Sequence, residues 1–209
     1  MEDVLDVYSR PYDPLRPVVC VDESSKQLVG HSRIPLPPLP GQPERWDYEY
    51  VRNGVADVFM AFEPLGAKRH VRVTRSRTRA DFAETLRIVS DELYPHAEQV
   101  ILVMDNLNTH TMGSLYEAFP PEEANRLAKR FEVHYTPKHG SWLDMAEIEI
   151  GVLMRHGLPE RIGSFEEMEE SVREWEFERN RRCATVDWQF TTADARVKLK
   201  RLYPKIELN

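Results

Sequence analysis

Gln99 to Asn106 reads QVILVMDN. The five residues from Val100 to Met104 are all apolar, with polar residues on either side. A strand with one wet face alternates. A short run with no polar position suits a strand buried on both faces, as parallel strands are when helices cover the sheet above and below. The run ends in an acid, Asp105. A second run of the same kind, PVVCVDES from Pro17 to Ser24, carries its apolar residues up to Asp22. If the two strands are neighbours, both carboxylates emerge side by side at the sheet edge where open α/β sheets bind ligands. Repulsion and burial penalise such a pair, and a divalent cation relieves both. Hard oxygen donors without a Cys or His cluster suit Mg²⁺ or Mn²⁺ better than zinc.

Working outward, WDYEYV and ADVFMAFEP flank Arg52-Asn53-Gly54, and Asn-Gly between β-rich runs predicts a hairpin turn. HVRVT alternates. RADFAETLRIVSDELY sets Phe82, Leu86, Val89 and Leu93 at helical spacing, with Asp81 and Glu84 near its start. Beyond Asp105, THTMGSLYEAF and PEEANRLAKR read as helical, broken at Pro120-Pro121, and FEVHYTP as a strand. SFEEMEESVREWEFERNRR is an amphipathic helix with Phe165, Met168, Val172 and Trp175 on one face and a capping box of Ser164 and Glu167. The order predicts an α/β fold: a mixed five-stranded sheet, three antiparallel strands then two parallel, flanked by helices. Residues 1–16 read as an N-terminal lead or linker, 17–182 as the domain that carries the acids and 183–209 as a C-terminal extension. The five prolines of HSRIPLPPLPGQPER (31–45) make a stiff extended loop between the first and second strands.

KHGSWLDMAEIEIG, Lys138 to Gly151, reads as the start of a buried helix that carries acids. At helical spacing Asp144 and Glu147 share a face, while Glu149 points almost the other way. Gly151, four residues after Glu147, leaves that face open. Glu147 is therefore the expected third ligand, Asp144 its assistant, and Glu149 solvent-facing or paired elsewhere. Three carboxylates around Mg²⁺ imply phosphoryl chemistry, in which two ions roughly 3.5–4 Å apart activate a water or 3′-hydroxyl and stabilise the leaving oxygen. Asn106, Asn108 and His110 follow Asp105 closely. They orient its carboxylate or contact phosphate, although capping and turn formation account for Asn108 equally well. His139 and Trp142 sit where a DNA strand would pass, yet a lone His is more often structural and a Trp more often a core anchor.

The totals set outer bounds. The chain has 209 residues, 41% hydrophobic, and a net charge of −7. No apolar run approaches the ~20 residues that span a bilayer, and the acidic start MEDVLDVYSR is no secretory signal. Cys20 and Cys183 lack metal-type spacing and read as two reduced thiols. An acidic chain grips DNA only if its basic residues are concentrated locally or another segment supplies the hold. AKRHVRVTRSRTR is such a concentration, and Lys68, Arg69, Arg72, Arg75 and Arg77, with Lys138 and Trp142, are the candidate DNA contacts; a solvated face is the equally weighted alternative. RVKLKRLYPK near the C-terminus is a second patch.

VVCVDES, YEYVRNGVADVFMAF, VILVMDNLNTH and HYTPKHGSWLDMAEIEIGVL together resemble the DDE transposases of bacterial insertion sequences, in the branch related to mariner elements. The resemblance runs from about Pro11 to the C-terminus. It implies a ribonuclease-H-like fold, a two-metal site holding Mg²⁺ or Mn²⁺, and catalytic, metal-binding acids at Asp22, Asp105 and Glu147. It also implies cleavage and strand transfer at the terminal inverted repeats of an element, with target DNA as the second substrate. Such transposases carry N-terminal helix-turn-helix domains, whereas only a short acidic lead stands here. The chain thus resembles a catalytic half whose DNA-recognising half is encoded upstream, and a regulatory or inert partner of a full-length transposase is the competing expectation. Asp144 stands where many relatives have Asn. In mariner-like enzymes an excursion at the place of the proline-rich loop clamps a partner subunit, which implies a homodimer using residues around Ile34 to Pro43. The expected location is cytoplasmic, at the nucleoid when DNA is bound.

Overall fold

A computed structural model of the protein describes residues 1–107, 110–138 and 140–203. Its five strands are β1 (Val18–His31), β2 (Tyr50–Glu63), β3 (Lys68–Thr74), β4 (Val100–Met104) and β5 (Phe131–Tyr135), in the spatial order β3-β2-β1-β4-β5. β1 to β3 form an antiparallel meander, and β4 and β5 add to β1 in parallel, as the sequence predicts. The described helices are α1 (Glu2–Tyr8), α2 (Arg79–Ile88), α3 (Gly113–Ala118), α4 (Pro121–Ala128), α5 (Met145–Val152), α6 (Phe165–Arg181) and α7 (Thr192–Lys198).

Strand alternation divides the core into two layers. Val19, Val21, Phe59, Leu102 and Met104 meet Phe82, Leu86, Leu115 and Leu127 of α2, α3 and α4. Cys20, Met60, Phe62, Ile101 and Val103 meet Leu5, Met145, Ile150, Met168 and Val172 of α1, α5 and α6. β4 is buried at every position, as its unbroken apolar run demands. Helix starts are fixed locally. Thr78 and Asp81 form a capping box on α2. Ser164 caps α6 by accepting from the Glu167 amide, but Glu167 turns back to the Gly163 amide rather than closing the box.

Three expectations change. β1 does not stop at Asp22. Only Val18 to Val21 pair with β4, and beyond them β1 runs on to His31 against β2. Asn53-Gly54 makes no hairpin turn. β2 passes through it, and the register slips between Gln27 and Val29 of β1, a bulge in which Gly54 takes φ +101°. Continuous pairing with SSKQLVGH outweighs the local turn preference. The chain reverses instead in the proline-rich segment, where Leu39 and Gln42 exchange backbone bonds around Pro40-Gly41, Gly41 at φ +75°. That is the Pro-then-Gly order a type II turn needs. Third, residues 1–16 are no loose lead. α1 buries Val4, Leu5, Val7 and Tyr8 and is clasped by the C-terminal segment through Glu2–Arg196 at 2.7 Å and Asp6–Thr192 at 2.7 Å.

Candidate active site

Val21 pairs with Met104 in the parallel β1–β4 ladder. The next residue along each strand is an acid: Asp105 leaves β4, while Asp22 stays in β1 opposite Met60 of β2, so the two stand side by side where the β1–β4 ladder ends. Alternation turns Asp22 toward the layer of α5, where Cys20 also lies. Burial pushes the Asp22 carboxyl up to about 7. The Glu23 amide opposes the shift, while the Glu23 and Asp105 charges add to it.

α5 supplies the next acid. Asp144 is its N-cap, and its Oδ1 accepts from the Ala146 amide at 2.9 Å. The side chain is buried, and Oδ2 has no hydrogen-bond partner among the described residues. Burial first, then the Asp22 and Asp105 charges, hold the Asp144 carboxyl well above the usual range. The loop before it is anchored from α1: the Tyr8 hydroxyl donates to the Leu143 carbonyl at 2.6 Å. Three mutually repelling carboxyl groups with an orphaned buried oxygen are what a hard cation would satisfy, so the donor set fits Mg²⁺ or Mn²⁺.

Glu147 lies in the first turn of α5, one turn on from Asp144, and its side chain is exposed. The three acids whose charges act on one another are thus Asp22, Asp105 and Asp144. Of the two expectations for Glu149 the pairing holds: it is buried in ion pairs with Arg69 at 2.9 Å and Arg179 at 2.7 Å.

His110 is fully buried on the opposite side of the sheet, stacked on Phe82 at 4.7 Å. Its Nδ1 contacts Asp105 and its Nε2 contacts Glu23. Burial works against a charged imidazole, but the two carboxylates outweigh it and hold its pKa near 10. Glu23 escaped sequence reasoning. The available signal was its place directly after Asp22 in a buried strand, where alternation aims it into the other layer and obliges it to find a partner.

The other candidates separate. Arg69 is no DNA contact: its side chain is sealed between Glu149, the Ala184 carbonyl and the Phe62 ring. Lys68 pairs across β3–β2 with Glu63, at the end of the sheet remote from Asp22. Arg72 is half-buried on the Asp81 carbonyl and Thr85. Arg75 and Arg77 follow the end of β3 on the site's side and are exposed, Arg75 lying over Phe165 and 3.3 Å from Glu166. Asn106 and Lys138 are exposed near the site loops. Trp142 is 39% exposed, stacks with Trp188 and meets Phe190 edge-on, both in the C-terminal segment. His139 and Asn108 lie outside the described residues.

An acid just past β4, a second on the adjacent parallel strand β1 and a third at the start of a helix packed across them form one carboxylate cluster. Residues 17–169 match the DDE superfamily endonuclease family, and the chain belongs to it. Its fold is the ribonuclease-H-like fold of the Mos1 mariner transposase. The Mos1 paired end complex with Mn superposes with a TM-score of 0.56 at 20% identity, over 87% of this chain and 55% of that one. The Mos1 strand transfer complex gives 0.54 at 19% identity, over 90% and 59%. The catalytic domain of Mos1 alone gives 0.52 at 18% identity, over 87% and 86%. At these identities the likeness is one of fold, and the chain spans little more than half of the Mos1 chain in the paired end complex. No curated protein matches the sequence.

Proposed function

We propose that this chain is the catalytic part of a transposase that cuts DNA at the ends of an insertion element and joins the freed 3′-hydroxyl to target DNA. The observation that carries this reading is the meeting of Asp22 and Asp105 beside the buried, unpartnered oxygen of Asp144. Asp22 and Asp105 are the fixed ligands of the site, and Glu147 reaches in from the rim as the third when DNA and metal are present. Asp144 closes the floor of the site and starts the helix that carries Glu147. Bound Mg²⁺ or Mn²⁺ would activate a water or 3′-hydroxyl and neutralise the leaving oxygen. Arg75, Arg77 and Lys138, exposed on the same side, contact the DNA backbone, and Trp142 presents its open face to the strand.

Specific recognition of the terminal repeats falls to a helix-turn-helix segment encoded upstream. The proline-rich loop, with Ile34, Leu36 and Leu39 exposed, contacts a second copy in the active complex. No helix among the described residues is long and apolar enough to cross a membrane.

The test is a Mn²⁺-dependent cleavage and strand-transfer assay on DNA carrying the flanking element ends, with and without the upstream product. Asp22→Ala, Asp105→Ala and Glu147→Ala should each abolish cleavage while leaving the fold intact. Full activity in any one of them would refute that residue's role; full activity in all three would refute the function.

A further inference from the structure

Asp105 stands just past the end of β4, at the start of a loop, and a loop is a poor support for a metal ligand. The structure supplies a brace. His110 touches Asp105 through Nδ1 and Glu23 through Nε2, and so ties the carboxylate after β4 to a residue in the middle of β1. The imidazole and the Glu23 side chain are both buried, at 0% and 3% exposure. Glu23 Oε2 and His110 Nε2 face each other at ion-pair distance, and neither has a hydrogen-bond partner among the described residues. Phe82 stacks on the face of the imidazole. The Glu23 brace and the Asp22 carboxylate come from consecutive residues of one strand.

We propose that Glu23, acting through His110, is a positioning residue that fixes the Asp105 carboxylate beside Asp22 and so presets the distance between the two ligands. This rests on the reading of the site as metal-dependent. A carboxylate–imidazole–ligand chain of this kind orients a ligand, and its loss typically weakens metal affinity by about 10–100-fold. Direct ligation by Glu23 is the competing arrangement, since ligand atoms of Asp22, Glu23 and His110 lie within 4.8 Å of one another. Two observations favour the brace. Alternation sends Glu23 into the α2 layer and Asp22 into the α5 layer, and both His110 nitrogens are already engaged.

Calorimetric titration of the full chain with Mn²⁺ alone, beside a thermal melt of each metal-free variant, tests this. Glu23→Leu severs the brace, and His110→Asn is too short to span both carboxylates. Each is expected to weaken Mn²⁺ binding about 10–100-fold, and the double variant should bind no more weakly than either single one. Glu23→Gln keeps an acceptor for Nε2 and should stay within about threefold of wild type, a rescue that a ligand role forbids. Wild-type affinity in Glu23→Leu or His110→Asn, or additive losses in the pair, would overturn the proposal. So would Glu23→Gln as damaging as Asp22→Ala, which would make Glu23 a ligand. If Glu23→Leu does not fold, His110→Asn and Glu23→Gln decide alone. Wild-type protein that binds no Mn²⁺, or binds it equally well as Asp22→Ala, would sink the metal-site reading itself rather than the brace.

Discussion

Asp144 concentrates the site's electrostatic problem in one side chain. It is useful to α5 as a cap and costly as a buried carboxylate among like charges. Asn keeps the acceptor for the Ala146 amide and removes the charge. Asp144→Asn should therefore raise the melting temperature of the metal-free protein at neutral pH, by on the order of 2–4 °C per kcal/mol recovered. Saturating Mn²⁺ should shrink the difference, since the cation relieves the same repulsion. An Asn variant that melts no higher than wild type without metal would remove Asp144 from the repelling cluster. Asp22 and Asp105 were legible in the sequence because each follows an uninterrupted apolar strand. Glu23 and the partners of Glu149 were not, because a buried acid is placed by a residue distant in sequence: His110 for one, Arg69 and Arg179 for the other. Arg69 was misassigned for the same reason, as a basic run does not say which of its members turns inward.

At the scale of elements, the strand order was readable from the change between alternating and continuous apolar runs, but strand lengths were not. β1 was expected to end at its acid, and the Asn-Gly of β2 to turn. Both expectations weighed local signals against a ladder that becomes visible only when the partner strand is in place. The join between β3, α5 and α6 depends on Glu149, with Arg69 0% exposed in its side chain and Glu149 3%. Glu149→Ala leaves two guanidinium groups facing a void, one of them fully buried, and should cost about 3–5 kcal/mol in denaturant melts. A loss below about 1 kcal/mol would mean that water reaches the pair. On the other flank, Glu132 of β5 ties down Arg10 and Arg16. The Arg10 hydrogen bond leads in holding its carboxyl near pH 2. A carboxyl depressed in the folded state stabilises above its unfolded value, about 4.3, and loses that contribution as pH falls through 2. The urea midpoint of wild type should therefore exceed that of Glu132→Gln at pH 6, and the gap should close between about pH 4.5 and 2. A gap that stays constant across that range would show that the charge is not what holds the link.

Across the whole molecule, the two chain ends complete one layer of the core. This was not legible beforehand, since MEDVLDVYSR looks like a mere acidic lead until Val4, Leu5, Val7 and Tyr8 are seen packed under the sheet. Leu5→Ala should cost about 2–5 kcal/mol, as a core position does, where an unattached leader would show no change in a urea melt.

The clasp between the ends has a further consequence. Arg196 and Tyr203 hold Glu2, α1 presents Tyr8, and Tyr8 grips the carbonyl just before Asp144. Trypsin nicking at the exposed Arg201 would strip Tyr203 from this chain of contacts, some distance from any acid of the site. Limited digestion followed by hydrogen–deuterium exchange should then reveal faster amide exchange in the amino-terminal helix and in the loop over residues 140–144, while β4 keeps its protection. A tail remote from the carboxylates would in that way set how firmly the loop before Asp144 is held.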